Sequence, residues 1–212
     1  MDPEQVSYVP PSEGYPVHLG VTTDRELNRL WGIPFVGVFV RWILAIPHWV
    51  VLWALGICTG LWFFLGWIYI LAFGRVPGLY VKIATESIQR QMRVLGYTLF
   101  LMPGGYPPLE PGPSKPINVQ LTFESLEINR LWGIPVVGFF VRFLVLIPHL
   151  VIVTILWTFV GLSLVILWIP ILLNGRYPTW ASSLYGTTLR YTARLGAYLS
   201  FLPVPYPPIM PS

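Results

Sequence analysis

The chain has 212 residues, 55% hydrophobic and only 10% charged, where an ordinary soluble domain carries roughly 25% charged residues. So few charges cannot cover a soluble fold of this size, and the surplus apolar surface calls for lipid or a large partner. The net charge of +4 comes from arginines scattered beside apolar runs, not from the clustered basic surface that nucleic-acid binding needs, and it favours anionic lipid headgroups as partners.

Residues 1–15 form a polar N-terminal tail with Asp2, Glu4 and Glu13. They lack an apolar stretch, so no cleavable signal is expected and insertion would use internal segments. The one cysteine, Cys58, lies in an apolar run, which rules out a disulfide within the chain and a cysteine metal site.

From residue 16 onward the chain repeats itself. Residues 26–48 (ELNRLWGIPFVGVFVRWILAIPH) and 127–149 (EINRLWGIPVVGFFVRFLVLIPH) are identical at 16 of 23 positions, which makes a tandem duplication the organising fact. The units are residues 16–108 and 116–212, joined by a Pro/Gly-rich linker at 109–115. Each opens on a period-2 alternation, Val17-His18-Leu19-Gly20-Val21 and Ile117-Asn118-Val119-Gln120-Leu121, the pattern of a half-buried strand. These strands could pair with each other or with neighbouring chains. Asp24 and Ser125 then suit an N-cap, with Thr23 and Glu26 as a capping box. A short helix is expected to end before Pro34 and Pro135, carrying Trp31 and Trp132 at the membrane interface.

Next come the apolar runs Phe35 to Phe73 and Val136 to Leu173. One straight helix over ~39 residues would be about 58 Å long, against a hydrocarbon core of ~30 Å. Two models meet that mismatch: an interfacial segment followed by one span, breaking near Pro47 and Pro148, or a hairpin that enters and leaves on one face. Because the flanks of both units match, and matching flanks most simply face one compartment, the hairpin is expected. Gly74-Arg75 and Gly175-Arg176 close the runs, a glycine for the C-cap and a cation for the dipole and headgroups. An amphipathic helix follows at about 79–101 and 180–202. Lys82, Glu86, Arg90 and Arg93 share one arc opposite Ile88, Met92 and Leu95, and Arg190 and Arg194 do so in the second unit. This helix is expected on the surface, basic face to the headgroups.

Arg41 and His48, repeated as Arg142 and His149, are the ionisable residues inside the apolar runs and so the functional candidates. The structural alternative is that arginine snorkels to the headgroups and histidine caps a carbonyl freed by the adjacent proline. Arg75, Lys82, Arg90, Arg93, Arg176, Arg190 and Arg194 are the candidate headgroup contacts. No phosphate loop, metal-spaced histidines or Ser-His-Asp order is present, and His18 is replaced by Asn118 in the second unit. The expectation is a non-enzyme with no cofactor.

The motifs Arg142 to His149, Gly175-Arg176-Tyr177-Pro178 and Tyr206-Pro207-Pro208, with their first-unit counterparts, resemble the membrane family catalogued as domain of unknown function 4389, over residues 41–108 and 142–208. The first unit departs at Val76, where the tyrosine would stand. The resemblance implies a prokaryotic membrane protein, often with duplicated units, and no activity. The sequence thus predicts an all-α integral membrane protein of two units, each a short strand, a short helix, a long apolar helical hairpin and an amphipathic helix, in a prokaryotic cytoplasmic membrane with both termini cytoplasmic. Its expected role is structural: a scaffold that forms a homo-oligomer or joins a larger membrane complex and shapes the bilayer. The alternative is an anion or small-solute channel or transporter built on the buried Arg and His.

Overall fold

The structure, a computed structural model, describes residues 15–21, 29–33, 36–99, 106–110, 117–134 and 137–209, apart from the side chains of 31, 36, 63 and 64. The first apolar run forms α1 (Val36–Leu44) and α2 (Ile46–Phe73). A bend of 48° separates them at Ala45. Pro47 falls in the first turn of α2, where a missing N–H costs nothing. The second run is one helix, α4 (Val137–Asn174), with Pro148 and Pro170 inside it.

The expected hairpin within each apolar run is therefore not formed. Between His48 and Phe73 the chain offers no proline, charge or polar cluster to build a turn, only isolated glycines. Backbone among apolar side chains must satisfy its own N–H and C=O groups, and continuous helix does so. Gly56, Gly60 and Gly161 accordingly stay helical.

The return leg is made by the next element. After Gly74 (φ 64°) and Gly175 (φ 63°), both left-handed as helix-ending glycines are, come α3 (Gly78–Thr98) and α5 (Thr179–Leu199). Tyr80, at the start of α3, stacks on Trp62 of α2 at 4.7 Å. At the other end of α3, the Tyr97 carbonyl accepts from Arg41 at 2.8 Å. So α3 runs back along α2, and each unit ends beside the place where its apolar run began. The amphipathic helix was expected at the surface, but it is the centre of the molecule. α3 packs on α2, on α5 and on the strand β2 (Ile117–Leu121). Ile88, Met92, Arg90 and Arg93 are all buried, so both faces of the helix are covered.

β1 (Val17–Val21) and β2 pair antiparallel, with Val17 opposite Leu121 and Leu19 opposite Val119. Leu19 and Val119 are equivalent positions of the two repeats, so a pseudo-two-fold axis passes through that pair. Val17, Leu19, Ile117 and Val119 point into the core, as the alternation predicted.

The axis brings an exchange of arms. β1 packs on α5 and β2 on α3; a 3₁₀ turn at Arg29–Gly32 packs on α4, and its counterpart at Arg130–Gly133 packs on α2. Each repeat's N-terminal arm thus lies on the helices of the other. The Trp-Gly-Ile-Pro motif explains how. A Cβ on Gly133 would stand 2.7 Å from the Leu71 backbone N, and one on Gly32 would stand 2.6 Å from that of Leu172. Only glycine allows the two backbones to approach this closely.

The short helix expected from Ser125 to before Pro135 is reduced to the 3₁₀ helix Arg130–Gly133, which carries Trp132. Residues 125–129 form a loop, bridged to the turn after α2 by Val76 N to Leu126 O and Ile128 N to Gly74 O, both 2.9 Å. This bridge to the other repeat takes the backbone groups a helix would have used. Asn129, not Ser125, caps the 3₁₀ turn, accepting from Leu131 N at 3.0 Å. The corresponding first-unit cap at Thr23, Asp24 and Glu26 lies outside the described residues, as does most of the linker.

Candidate functional site

Arg41 and Arg142 are 1% and 3% exposed. No carboxylate meets either guanidinium among the described residues; the one ion pair there is Arg90–Glu86. Each instead closes the end of a central helix. Arg41 Nη1 donates to the Tyr97 carbonyl at 2.8 Å, and Arg142 Nη1 donates to the Tyr198 carbonyl at 2.6 Å. Carbonyls in a helix's last turn lack intrahelical partners and carry the negative end of the dipole, so a buried cation is well placed there. Aromatic faces supply the rest. The Tyr97 ring lies 4.9 Å from Arg41. Trp132, Tyr198 and Phe201 surround Arg142 at 4.8, 4.6 and 4.5 Å.

A tyrosine from the opposite repeat completes each helix end. Tyr177 Oη donates to the Leu99 carbonyl at 3.2 Å, and Tyr80 Oη donates to the Ser200 carbonyl at 2.6 Å. Leu99 and Ser200 are equivalent, but Tyr177 and Tyr80 are not. The first unit has valine at 76, and its tyrosine comes four residues later, one helical turn on; the second unit has Ala181 there. The departure at Val76 is thus made good by Tyr80. Burial pushes both hydroxyls well above the usual tyrosine range, against the opposing pull of Arg142 on Tyr80 and of Arg41 on Tyr177. They remain protonated donors.

The histidines differ between repeats. His149 is fully buried between Tyr191 Oη at Nδ1 and Tyr206 Oη at Nε2, the latter at 2.7 Å. Tyr206 also donates to the Val145 carbonyl at 3.1 Å. Its single proton spent, Tyr206 must accept from Nε2–H, and Nδ1 must accept from Tyr191. A neutral ring with its proton on Nε2 satisfies every group. In the first repeat the equivalent of Tyr191 is Arg90. His48, also buried, packs against Tyr106 at 5.0 Å between centroids. The tyrosines of both Tyr-Pro-Pro motifs therefore sit on the proline-adjacent histidines.

Residues 36–108 and 137–210 each match the family described as domain of unknown function, DUF4389. The chain belongs to this family, in two tandem copies. No curated protein and no solved structure matches it. The DUF4389 matches begin at α1 and α4, so β1, β2 and both 3₁₀ turns, the elements that cross between repeats, lie outside them.

The candidate headgroup contacts separate into two groups. Arg75, Lys82 and Arg176 are exposed and Arg190 is half-buried. Arg90, Arg93 and Arg194 are buried and cannot meet a headgroup. Arg90 bonds Glu86 and the Leu109 carbonyl; Arg93 reaches the Gln89 and Glu110 carbonyls at 3.3 Å; Arg194 lies over the Tyr15 ring at 5.1 Å. The helical wheel counted them as a solvated face, but β2, the 109–110 segment and the N-terminal arm cover that face. Sequence reasoning also missed Tyr80, Tyr177, Tyr191 and Phe201. Tyr80 and Tyr177 could not be found by aligning the repeats, because they do equivalent work from unaligned positions. No group of three or more His, Cys, Asp or Glu side chains able to hold a metal occurs among the described residues.

Proposed function

We propose that this DUF4389 chain is a structural integral membrane protein, a scaffold whose long helices lie in the hydrocarbon and whose buried arginines and histidines hold the framework together rather than perform chemistry. The observation that carries this reading is α4. It is long and apolar enough to cross a membrane, yet only 17% of its most apolar stretch is buried. A core helix of a soluble protein would be covered. Here Phe140, Val151, Ile155, Phe159, Leu162 and Val165 face outward, and α2 leaves a similar stripe at Val50, Trp53, Ile57, Leu61 and Leu65. At 38 residues, or ~57 Å, α4 tilted by about 40° would fit the ~44 Å of a bilayer with its headgroups. Lipids, anionic ones at Arg75, Lys82 and Arg176, are then the first partners, and the outward stripes supply the surface for a second copy or a larger membrane complex.

Arg41 and Arg142 are spent on helix-end carbonyls and aromatic faces, which supports a structural role over an arginine-lined anion path. An alkaline carbonate wash of native membranes, followed by crosslinking, tests the proposal. The protein should stay in the pellet and crosslink into a discrete larger species. Release into the supernatant would overturn membrane integration, and an uncrosslinked monomer would overturn scaffolding.

A further inference from the structure

A groove of about 310 Å³ runs along one face of α2. It is bordered by residues from Gly56 to Ile70, about 21 Å of helix, so it is long and narrow. Gly56, at one end, is exposed; Gly66 and Ile70, at the other, are buried. Trp132 and Phe139 of the second repeat form part of the opposite wall, with Tyr80 and Phe201 also bordering it. Phe201 is the one non-glycine residue with positive φ, 56°, among the described residues. That backbone closes α5 in the usual left-handed helix end, with Leu202 N–H donating to the Ala197 carbonyl at 3.3 Å and Phe201 N–H to that of Tyr198 at 3.2 Å.

The second repeat carries larger residues at two of the glycines that border the groove. Gly56 is answered by Trp157, whose Nε1 donates to Thr192 Oγ1 at 3.1 Å. Gly66 is answered by Leu167, which is fully buried. In the first repeat a Cβ on Gly56 or Gly60 would meet nothing within 4 Å. Two hydroxyls on the border are already engaged, Thr59 with the Leu55 carbonyl and Tyr80 with that of Ser200. Ser200 and the indoles of Trp62, Trp67 and Trp132 also border the groove, but most of the lining is apolar, which suits a flexible apolar chain better than a compact polar solute.

We propose that the first repeat holds one acyl chain of a membrane phospholipid in this groove, where the second repeat has Trp157 in place of Gly56. The inference rests on the membrane reading above, since the exposed end of the groove adjoins the outward stripe of α2 at Ile57 and Leu61. Full-length protein in vesicles of phosphatidylcholine carrying a diazirine at one chain end is the test, with adducts mapped by mass spectrometry. In the wild type, adducts form inside the groove at Trp62, Tyr80 or Phe201, and also on the outer face of α4 at Ile155 or Leu162. Gly56→Trp, which copies the second repeat, lowers the inner adducts several-fold and leaves the outer ones unchanged. Gly60→Phe does the same from the middle of the groove, which guards against a folding defect in either variant. Outer adducts without inner ones, or inner adducts that both fillers leave untouched, would overturn the chain site while the membrane reading stands. Absence of outer adducts would instead overturn the membrane reading.

Discussion

Replacing Gly133 by alanine tests the arm exchange directly. The new Cβ would lie 2.7 Å from Leu71 N and 2.9 Å from Trp67 O, both backbone atoms of α2. Ordinary contacts start near ~3.5 Å, and a helix backbone cannot rotate out of the way, so the second repeat's arm must lift. Overpacking of this kind costs about 1–3 kcal/mol, against a gain of about 0.4–1 kcal/mol from a stiffer unfolded chain. The net loss, centred at ~1.3 kcal/mol and at most about 2.6 kcal/mol, corresponds to a fall in Tm of about 3–5 °C at the centre and up to about 10 °C for a chain of this size. Gly32→Ala, 2.6 Å from Leu172 N and 2.8 Å from its Cα, should behave alike. Gly161→Ala is the control. That glycine lies inside α4 with nothing within 4 Å of its Cβ position, and helix propensity favours the alanine by about 0.5–1 kcal/mol. Thermal unfolding in mild detergent, followed by circular dichroism, should show the first two variants falling and the third level or rising. If Gly133→Ala and Gly32→Ala melted at or above the wild type, the close approach of arm and helix would be refuted.

Tyr80→Phe and Tyr177→Phe each remove one hydrogen bond to a helix-end carbonyl and should each cost about 0.5–1.5 kcal/mol; equal losses in denaturant titration would support their equivalence, and an effect of one alone would deny it. Tyr206→Phe strips the acceptor from His149 Nε2–H and the donor from the Val145 carbonyl, so a loss of about 1–3 kcal/mol is expected, larger than for Tyr106→Phe in the first repeat; the reverse order would contradict the His149 network. Burial, with Arg194 nearby, holds His18 below the usual histidine range. A folded-state value below the unfolded one means that its contribution is complete above about pH 6.5 and is lost as pH falls through the folded value. His18→Asn, the second repeat's residue, should therefore flatten the acid limb of the stability profile; an unchanged limb would exclude His18.

Much of the framework is legible in the sequence because it is written twice. The duplication, the alternating strands and the helix-ending glycines at 74 and 175 all follow from spacing and local chemistry. The pairing of the arms is not legible. A period of 101 residues says that two pieces are alike, not which copy of one piece meets which copy of another. The helical wheel of α3 failed for a related reason. Arg90 and Arg93 read as a face for headgroups until the 109–110 segment, whose carbonyls they bond, is laid across them. Arginine in an apolar run suggested ion handling or snorkelling because the ends of α3 and α5, whose carbonyls it serves, lie 56 residues away in both repeats. The apolar hairpin was expected because the matching flanks asked each unit to end near where its apolar run began; α3 and α5, not the apolar run itself, bring the chain back there.

The exchange of arms also sets an order of events during synthesis. β1 leaves the ribosome about one hundred residues before β2, its strand partner, and the seat on α2 for Gly133 is made some sixty residues before Gly133 itself. Throughout that interval the first repeat carries an open strand edge and an empty seat, both of a shape that another copy of the same half could fill. An unpaired edge is an invitation to pair with a neighbour. The short linker at 109–115 answers this by keeping the second arm at high local concentration, so that closure within one chain outruns pairing between nascent chains. Seen this way, the tandem arrangement is a tether: it turns what would be the dimerisation of two single-repeat chains into a unimolecular closure.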